Sequence, residues 1–202
     1  KAYLSINLET LMSHLLEKSD RKTLEEYLDQ PCQKETSTLF MKRLNNWFPL
    51  SRQHRLWVED RSFHQVIRKG CWPLSPIAVW LLFHLAAGGQ FLQQRSALAL
   101  LKEGFNTNKE REFTSFSNDL SATDLWSEAL ETEFLSAEGS GSKGAIAHSY
   151  SNILTRLGQN LSKEELLILR AVVLASKLGL TAQDRRDAQK AIASMAGLDN
   201  ET

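Results

Sequence analysis

The chain has 202 residues, 42% of them apolar, which is enough to bury the core of one or two domains and argues against a disordered segment. Lys plus Arg (24) balances Asp plus Glu (24), so no net field draws the chain to nucleic acid or an anionic membrane, and only a local basic patch would do so. Cys32 and Cys71, with no CxxC spacing, argue against a disulfide scaffold and a structural zinc site.

Leu8, Leu11, Met12, Leu15 and Leu16 recur at helical spacing behind Asn7, a suitable N-cap, which predicts a helix over 7–18. Asp20 caps a second helix that places Leu24, Tyr27 and Leu28 on one face and is ended by Pro31. Over 36–48, Leu39, Phe40, Leu44, Trp47 and Phe48 form an apolar side opposite Lys42, Arg43 and Asn45, and Pro49 closes the helix. The spacing then predicts a short basic helix over 50–59. Another, capped by Asp60, runs over 61–69 and ends on Lys69-Gly70, a cation in the last turn and a glycine suited to left-handed backbone.

The most distinctive stretch is Cys71 to Leu101. Pro73 and Pro76 disfavour helix just before them and Pro76 suits a first turn, so a helix starts near Ser75. Ile77, Ala78, Trp80, Leu81, Leu82, Phe83, Leu85 and Ala86 leave it almost no polar face, the pattern of a helix enclosed by others. Gly88 and Gly89 stop it. A second helix over 91–102 sets Leu92, Leu98, Leu100 and Leu101 among Gln93, Gln94, Arg95 and Ser96. The apolar run is short of the roughly 20 residues a membrane span needs and holds His84, so the chain reads as soluble. It opens on Lys1 without a signal-peptide pattern and so reads as a cytoplasmic piece of a longer protein.

Residues 104–120 are mixed, with a loop at Asn106-Thr107-Asn108 and anchors at Phe113 and Phe116; a helix over 124–135 follows on Leu125, Trp126, Ala129, Leu130 and Phe134. The Gly/Ser composition of AEGSGSKG at 137–144 reads as a flexible loop, native or an engineered linker. Ile146, Tyr150, Ile153, Leu154 and Leu157 make a helix ending at Gly158. Ser162 and Glu165 form a capping box for the next, terminated by Gly179, and the last helix runs from Thr181 to Gly197. Few β-branched alternations occur. The expected fold is all-α: an irregular multi-helix bundle over 1–136 organised around 71–101, the 137–144 loop, and a helical subdomain over 145–202 packed on the first.

Trp72-Pro73-Leu74-Ser75-Pro76, the apolar helix, Gln90, Gln94-Arg95-Ser96 and Leu100-Leu101 resemble a segment of large bacterial P-loop ATPases of the AAA/STAND-like kind, phage-defence ATPases among them. There a PLxP turn opens a helical region after the nucleotide-binding core and a Q-x-x-RS helix follows; a weaker echo lies over Leu161 to Leu180. The chain departs from that pattern where four residues separate Gln90 from Arg95 and where Ala97-Leu98 replaces an aromatic. The resemblance implies a lid or regulatory region that transmits the nucleotide state of an adjacent ATPase core to a protein partner. ATP would then be a ligand of the parent protein, with Arg95 reaching a phosphate and Pro73 forming a lid turn.

The chain itself has no GxxxxGK[ST], GxSxG, HExxH or EF-hand loop, and its five histidines sit singly in predicted helices, so no catalytic residue, metal ligand or bound cofactor is expected in it. For Arg95 the bland readings are a solvated arginine or the partner of a carboxylate such as Glu103 or Asp119. For Pro73 the bland reading is the opening of a buried helix. A competing function is a self-contained helical adaptor whose exposed Trp47, Trp57 and Trp72 anchor a partner protein. A third is a weak nucleic-acid module in which Arg185, Arg186 and Lys190 of the final helix pair face phosphates, against which stands the small local excess of positive charge.

Overall fold

The computed structural model describes residues 7–18, 20–86, 94–111, 119–141 and 144–198, with residues 94–96 described by their backbone. The fold is all-α, as expected, and among the described residues the only β contact is an isolated bridge between Leu74 and Leu120. Among the described residues ten α-helices succeed one another: α1 (Leu8–Leu15), α2 (Arg21–Leu28), α3 (Pro31–Trp47), α4 (Asp60–Ser62), α5 (Pro76–Ala86), α6 (Gln94–Thr107), α7 (Glu128–Gly139), α8 (Ile146–Leu157), α9 (Lys163–Lys177) and α10 (Arg185–Ala196). α4 widens without a break into a π-helix over Phe63–Gly70.

α5 occupies the position its composition predicts. Every residue from Ile77 to Leu82 is at most 1% exposed, and Leu85 is fully enclosed. Its start is fixed by Pro76 and by Ser75, whose Oγ accepts the Ala78 N–H at 3.2 Å. Just upstream, where the Trp72–Pro73 bond is cis, Leu120 N donates to Pro73 O at 2.6 Å and Ser75 N to Leu120 O at 2.8 Å, so the turn is stitched to residues 119–120.

One continuous buried cluster runs from Leu8 to Ala196, and residues 145–198 share it with the first part of the chain. Two polar contacts reinforce that packing: Trp47 Nε1 donates to Asp187 Oδ1 at 2.8 Å, and Thr181 N donates to Trp47 O at 2.8 Å.

Several boundaries differ from the sequence expectation, each for a local reason. Pro31 ends α2 and also opens α3, because the first helical position needs no N–H. Within α3, Leu39 stands 57% exposed on what was expected to be the apolar side. The helix expected over 50–59 is two 3₁₀ segments, Pro49–Gln53 and Arg55–Trp57. Asn45 holds them in that form, giving its Nδ2 hydrogen to Trp57 O at 2.8 Å while its Oδ1 accepts from Ser51 Oγ. Asp60 is the first residue of α4, and Glu59 precedes it as N-cap.

Gly70 does not adopt left-handed backbone; it is required for space, since a Cβ there would lie 2.5 Å from Ser13 Cβ. α6 continues through Asn106 and Thr107, which were expected in a loop. The helix expected over 124–135 is divided because Ser121 and Ser127 each act as an N-cap, giving a 3₁₀ turn over Ala122–Leu125 and then α7. α7 extends to Gly139 into the stretch expected to be a flexible loop. The last helix begins at Arg185, not near Thr181, because Asp184 Oδ1 caps the Asp187 N–H at 2.8 Å. Gly88, Gly89, Phe113 and Phe116 lie outside the described residues. The Ser162–Glu165 capping box and the left-handed Gly179, at φ +69°, are both present as expected.

Because α5 is closed in on all sides, Leu81→Ala leaves a cavity its neighbours cannot fill, and a loss of about 2–5 kcal/mol in denaturant-melt stability is expected. A loss below about 1 kcal/mol would place this helix at the periphery.

Candidate functional site

Most charge in the interior is tied between elements. His64, in the π-helix, is 6% exposed and joins α3 to the end of α2, with Nδ1 3.0 Å from Ser37 Oγ and Nε2 3.5 Å from Asp29 Oδ1. Lys69 donates to Asp29 Oδ2 at 2.9 Å. Serine, histidine and aspartate thus line up as in a hydrolase triad, an arrangement the sequence reading missed because the three residues lie on separate elements. The exposure pattern is inverted, however: Ser37 is 4% exposed, whereas the Asp29 side chain is 41% exposed. A hydroxyl sealed in the core cannot meet an external carbonyl, so the relay is a structural tie. Burial lowers the imidazole's pKa, and the Asp29 carboxylate opposes the shift.

Two buried glutamates behave oppositely. Glu9 is 1% exposed; one oxygen accepts from Trp57 Nε1 at 2.7 Å and the other has no hydrogen-bond partner among the described residues. Burial raises its pKa, opposed by a backbone bond, the Trp57 indole and the charge of His54. Glu138, whose side chain is 1% exposed, accepts from Lys177 Nζ at 2.6 Å, from the Ala147 and His148 N–H groups at 2.9 and 3.1 Å, and lies 2.8 Å from His148 Nδ1. It thereby caps α8 from α7 and pins both to α9. Burial alone would raise its pKa, but the bonds from Lys177, Ala147 and His148 outweigh that and hold it at about 2.

A third cluster surrounds Asp119, which pairs with Arg68, sits against the Trp72 indole, and offers its carbonyl to Arg111 Nη2 at 3.2 Å. Cys71 is sealed in the core and its thiol is pushed up to about 12 by burial, which removes it as a nucleophile. Among the described residues no group of three or more His, Cys, Asp or Glu side chains could hold a metal ion, and no helix is long and apolar enough to cross a membrane.

The residues singled out from the sequence do not converge. Arg95 falls on the second residue of α6, and its side chain lies outside the described part. Its suggested partner Asp119 is taken by Arg68, and Glu103 is exposed. Pro73 is buried in the turn before α5. The expectation of exposed tryptophan anchors is corrected: Trp47 is 2% exposed and Trp57 is fully buried, because each indole N–H is spent on an internal carboxylate, Asp187 and Glu9 respectively. Trp72 is half-buried. Arg185, Arg186 and Lys190 are exposed on α10.

A groove of about 560 Å³ lies between the end of α1, the start of α2 and the end of the π-helix, with Lys18, Arg21 and Lys69 among its lining residues. No protein-family model, curated protein sequence or solved structure matches the chain.

Glu138 sets a pH dependence whose sign follows from its lowered pKa. Its stabilisation is complete above the ordinary value of 4.5 and is lost as pH falls toward the folded value of about 2. Glu138→Gln removes that acid-limb contribution and leaves Lys177 buried without its counter-charge, at a cost on the order of 3–5 kcal/mol near neutrality. Urea melts of both proteins at pH 7 and pH 3 check this; parallel losses on acidification would refute it.

Proposed function

We propose that this chain is a non-catalytic helical lid or regulatory region of a larger cytoplasmic bacterial ATPase, coupling the nucleotide state of an adjacent core to a protein partner. The observation that supports the reading is the mounting of α6. Ala97, Leu100, Leu101 and Gly104 bury one side of it, while Ala99, Lys102 and Glu103 are exposed. One side of α6 is thus seated against the enclosed α5 and the other is left open. A helix mounted in this way suits a lid that swings as a body on nucleotide binding. A guanidinium at the first turn of that helix suits bidentate contact with a phosphate.

The adaptor reading loses Trp47 and Trp57 as anchors, since both serve the interior.

In the full-length protein, Arg95→Ala is expected to lower ATP binding or turnover at least about tenfold, the effect of losing one bond to a charged group. Stability of the isolated chain should stay within about 0.5 kcal/mol, as for surface substitutions generally. Unchanged ATP handling, or a strongly destabilised chain, would overturn the lid role of Arg95. Saturable, salt-sensitive binding of duplex DNA that is lost on Arg186→Ala or Lys190→Ala would move the function to nucleic acid.

A further inference from the structure

The groove between α1, α2 and the π-helix differs from the other polar regions of the molecule in what it leaves unspent. Lys18 sends one N–H to Leu16 O at 2.6 Å, at the end of α1, and another to Gly70 O, at the end of the π-helix. The ammonium therefore neutralises the carbonyl ends of two helices at once. It has no carboxylate partner among the described residues, and one of its three N–H groups remains without an acceptor there. Burial lowers its pKa; the nearby Cys71 opposes the shift and Arg21 adds to it.

Arg21 opens α2 beside it. Its Nε donates to Glu25 Oε1 at 2.8 Å, and its two Nη groups carry no bond among the described residues. The third cation of the wall, Lys69, is engaged by Asp29 and is not free for a ligand. Gln65 contributes an amide to the same wall, and Glu17 a carboxylate.

The position is fixed rather than accidental. Gly70 keeps the π-helix against Ser13 of α1 at a separation no Cβ would allow, so the two carbonyls that hold Lys18 cannot drift apart without breaking that contact. π-helical turns of this kind recur at functional sites. The volume of about 560 Å³ falls within the range of small-molecule sites.

We propose that this groove binds a small phosphate-bearing molecule, its phosphate group seated between Lys18 and the free Nη edge of Arg21. A tetrahedral dianion supplies the counter-charge Lys18 lacks and accepts several hydrogen bonds at once, whereas one carboxylate would leave donors unfilled. Glu17 and Gln65 stand beside it as acceptors for hydroxyl groups, which suits a phosphomonoester of a polyol. The groove shares no residue with α6, so this site stands independently of the lid reading.

The test titrates the full chain with sodium phosphate and, separately, with ribose 5-phosphate, with ionic strength held constant by chloride. Binding is followed by ³¹P line broadening and by the thermal midpoint. Saturable binding with a raised midpoint is expected, weakened about tenfold or more in Arg21→Gln and in Lys18→Gln and retained in Lys18→Arg. Tighter binding of ribose 5-phosphate identifies a phosphomonoester as the ligand; equal binding identifies free phosphate. Should Lys18→Gln fail to fold because it ties two helix ends, Arg21→Gln decides alone, since that side chain is 79% exposed. No saturation with either probe, or undiminished affinity in Arg21→Gln, would overturn the proposal.

Discussion

A helix with no polar face has to be enclosed, and that requirement on α5 governs the rest of this structure. Burying Ile77 through Leu82 and Leu85 takes contributions from both halves of the chain, because one layer of helices cannot cover every side of a helix. Each fully buried aliphatic side chain contributes about 1.5–3 kcal/mol relative to exposure, so this short segment concentrates a large share of the driving force in one place. The tryptophans follow from it. Trp57 lies edge-on to Trp80 at 5.1 Å and contacts Phe63 at 6.0 Å, so the two 3₁₀ segments exist to deliver an indole to α5.

Around that apolar centre, charged residues act as fasteners between elements distant in sequence. Arg68 reaches Asp119, Lys69 reaches Asp29 and Lys177 reaches Glu138; each pair is fixed by packing and compensated by opposite charge. Such pairs add little net stability over a well-packed apolar substitute, yet removing one partner is costly, so they act chiefly to select one arrangement of the helices. Glu9 is the exception. It has no counter-ion within bonding distance among the described residues, and burial favours its neutral form; Glu138, equally buried, has four polar contacts from three residues and remains ionised. Partners, more than depth, decide in which direction these two acids are pushed.

The helical fold, the enclosure of α5 and several caps were legible in the sequence, because each rests on a period of a few residues or on one capping side chain. Asp20, Ser162 with Glu165, and Gly179 all do what their positions announce. What was not legible depended on contacts across the chain. Asn45 converts 49–57 into 3₁₀ turns from twelve residues away, and nothing within those turns signals it. Gly70 looked like a helix terminator and is instead a spacer, since only the approach of Ser13 reveals the need for a missing Cβ. Trp47 and Trp57 looked available because large aromatics serve interfaces and cores alike. Glu138 was hidden by its setting: Gly/Ser composition predicts flexibility, but one glutamate tied to Lys177, Ala147 and His148 outweighs it and draws the helix through to Gly139.

The same contrast separates structural polar clusters from candidate sites. In the Ser37–His64–Asp29 relay the Ser37 hydroxyl meets one ring nitrogen and the Asp29 carboxylate lies 3.5 Å from the other, and the hydroxyl that would react is the most deeply buried member. The geometry resembles catalysis while the solvent exposure denies it, and exposure is the stronger criterion, because a nucleophile without access has no substrate. At the groove the order is reversed. Lys18 is held between two helix ends and Arg21 by Glu25 on its own helix, each through only part of its hydrogen-bonding capacity, and the remainder opens on a volume large enough for a small molecule. Donors that folding positions but does not consume can be recognised only after the helices are assembled. Neither Lys18 nor Arg21 stands out in the sequence, where both read as ordinary polar residues between two short helices.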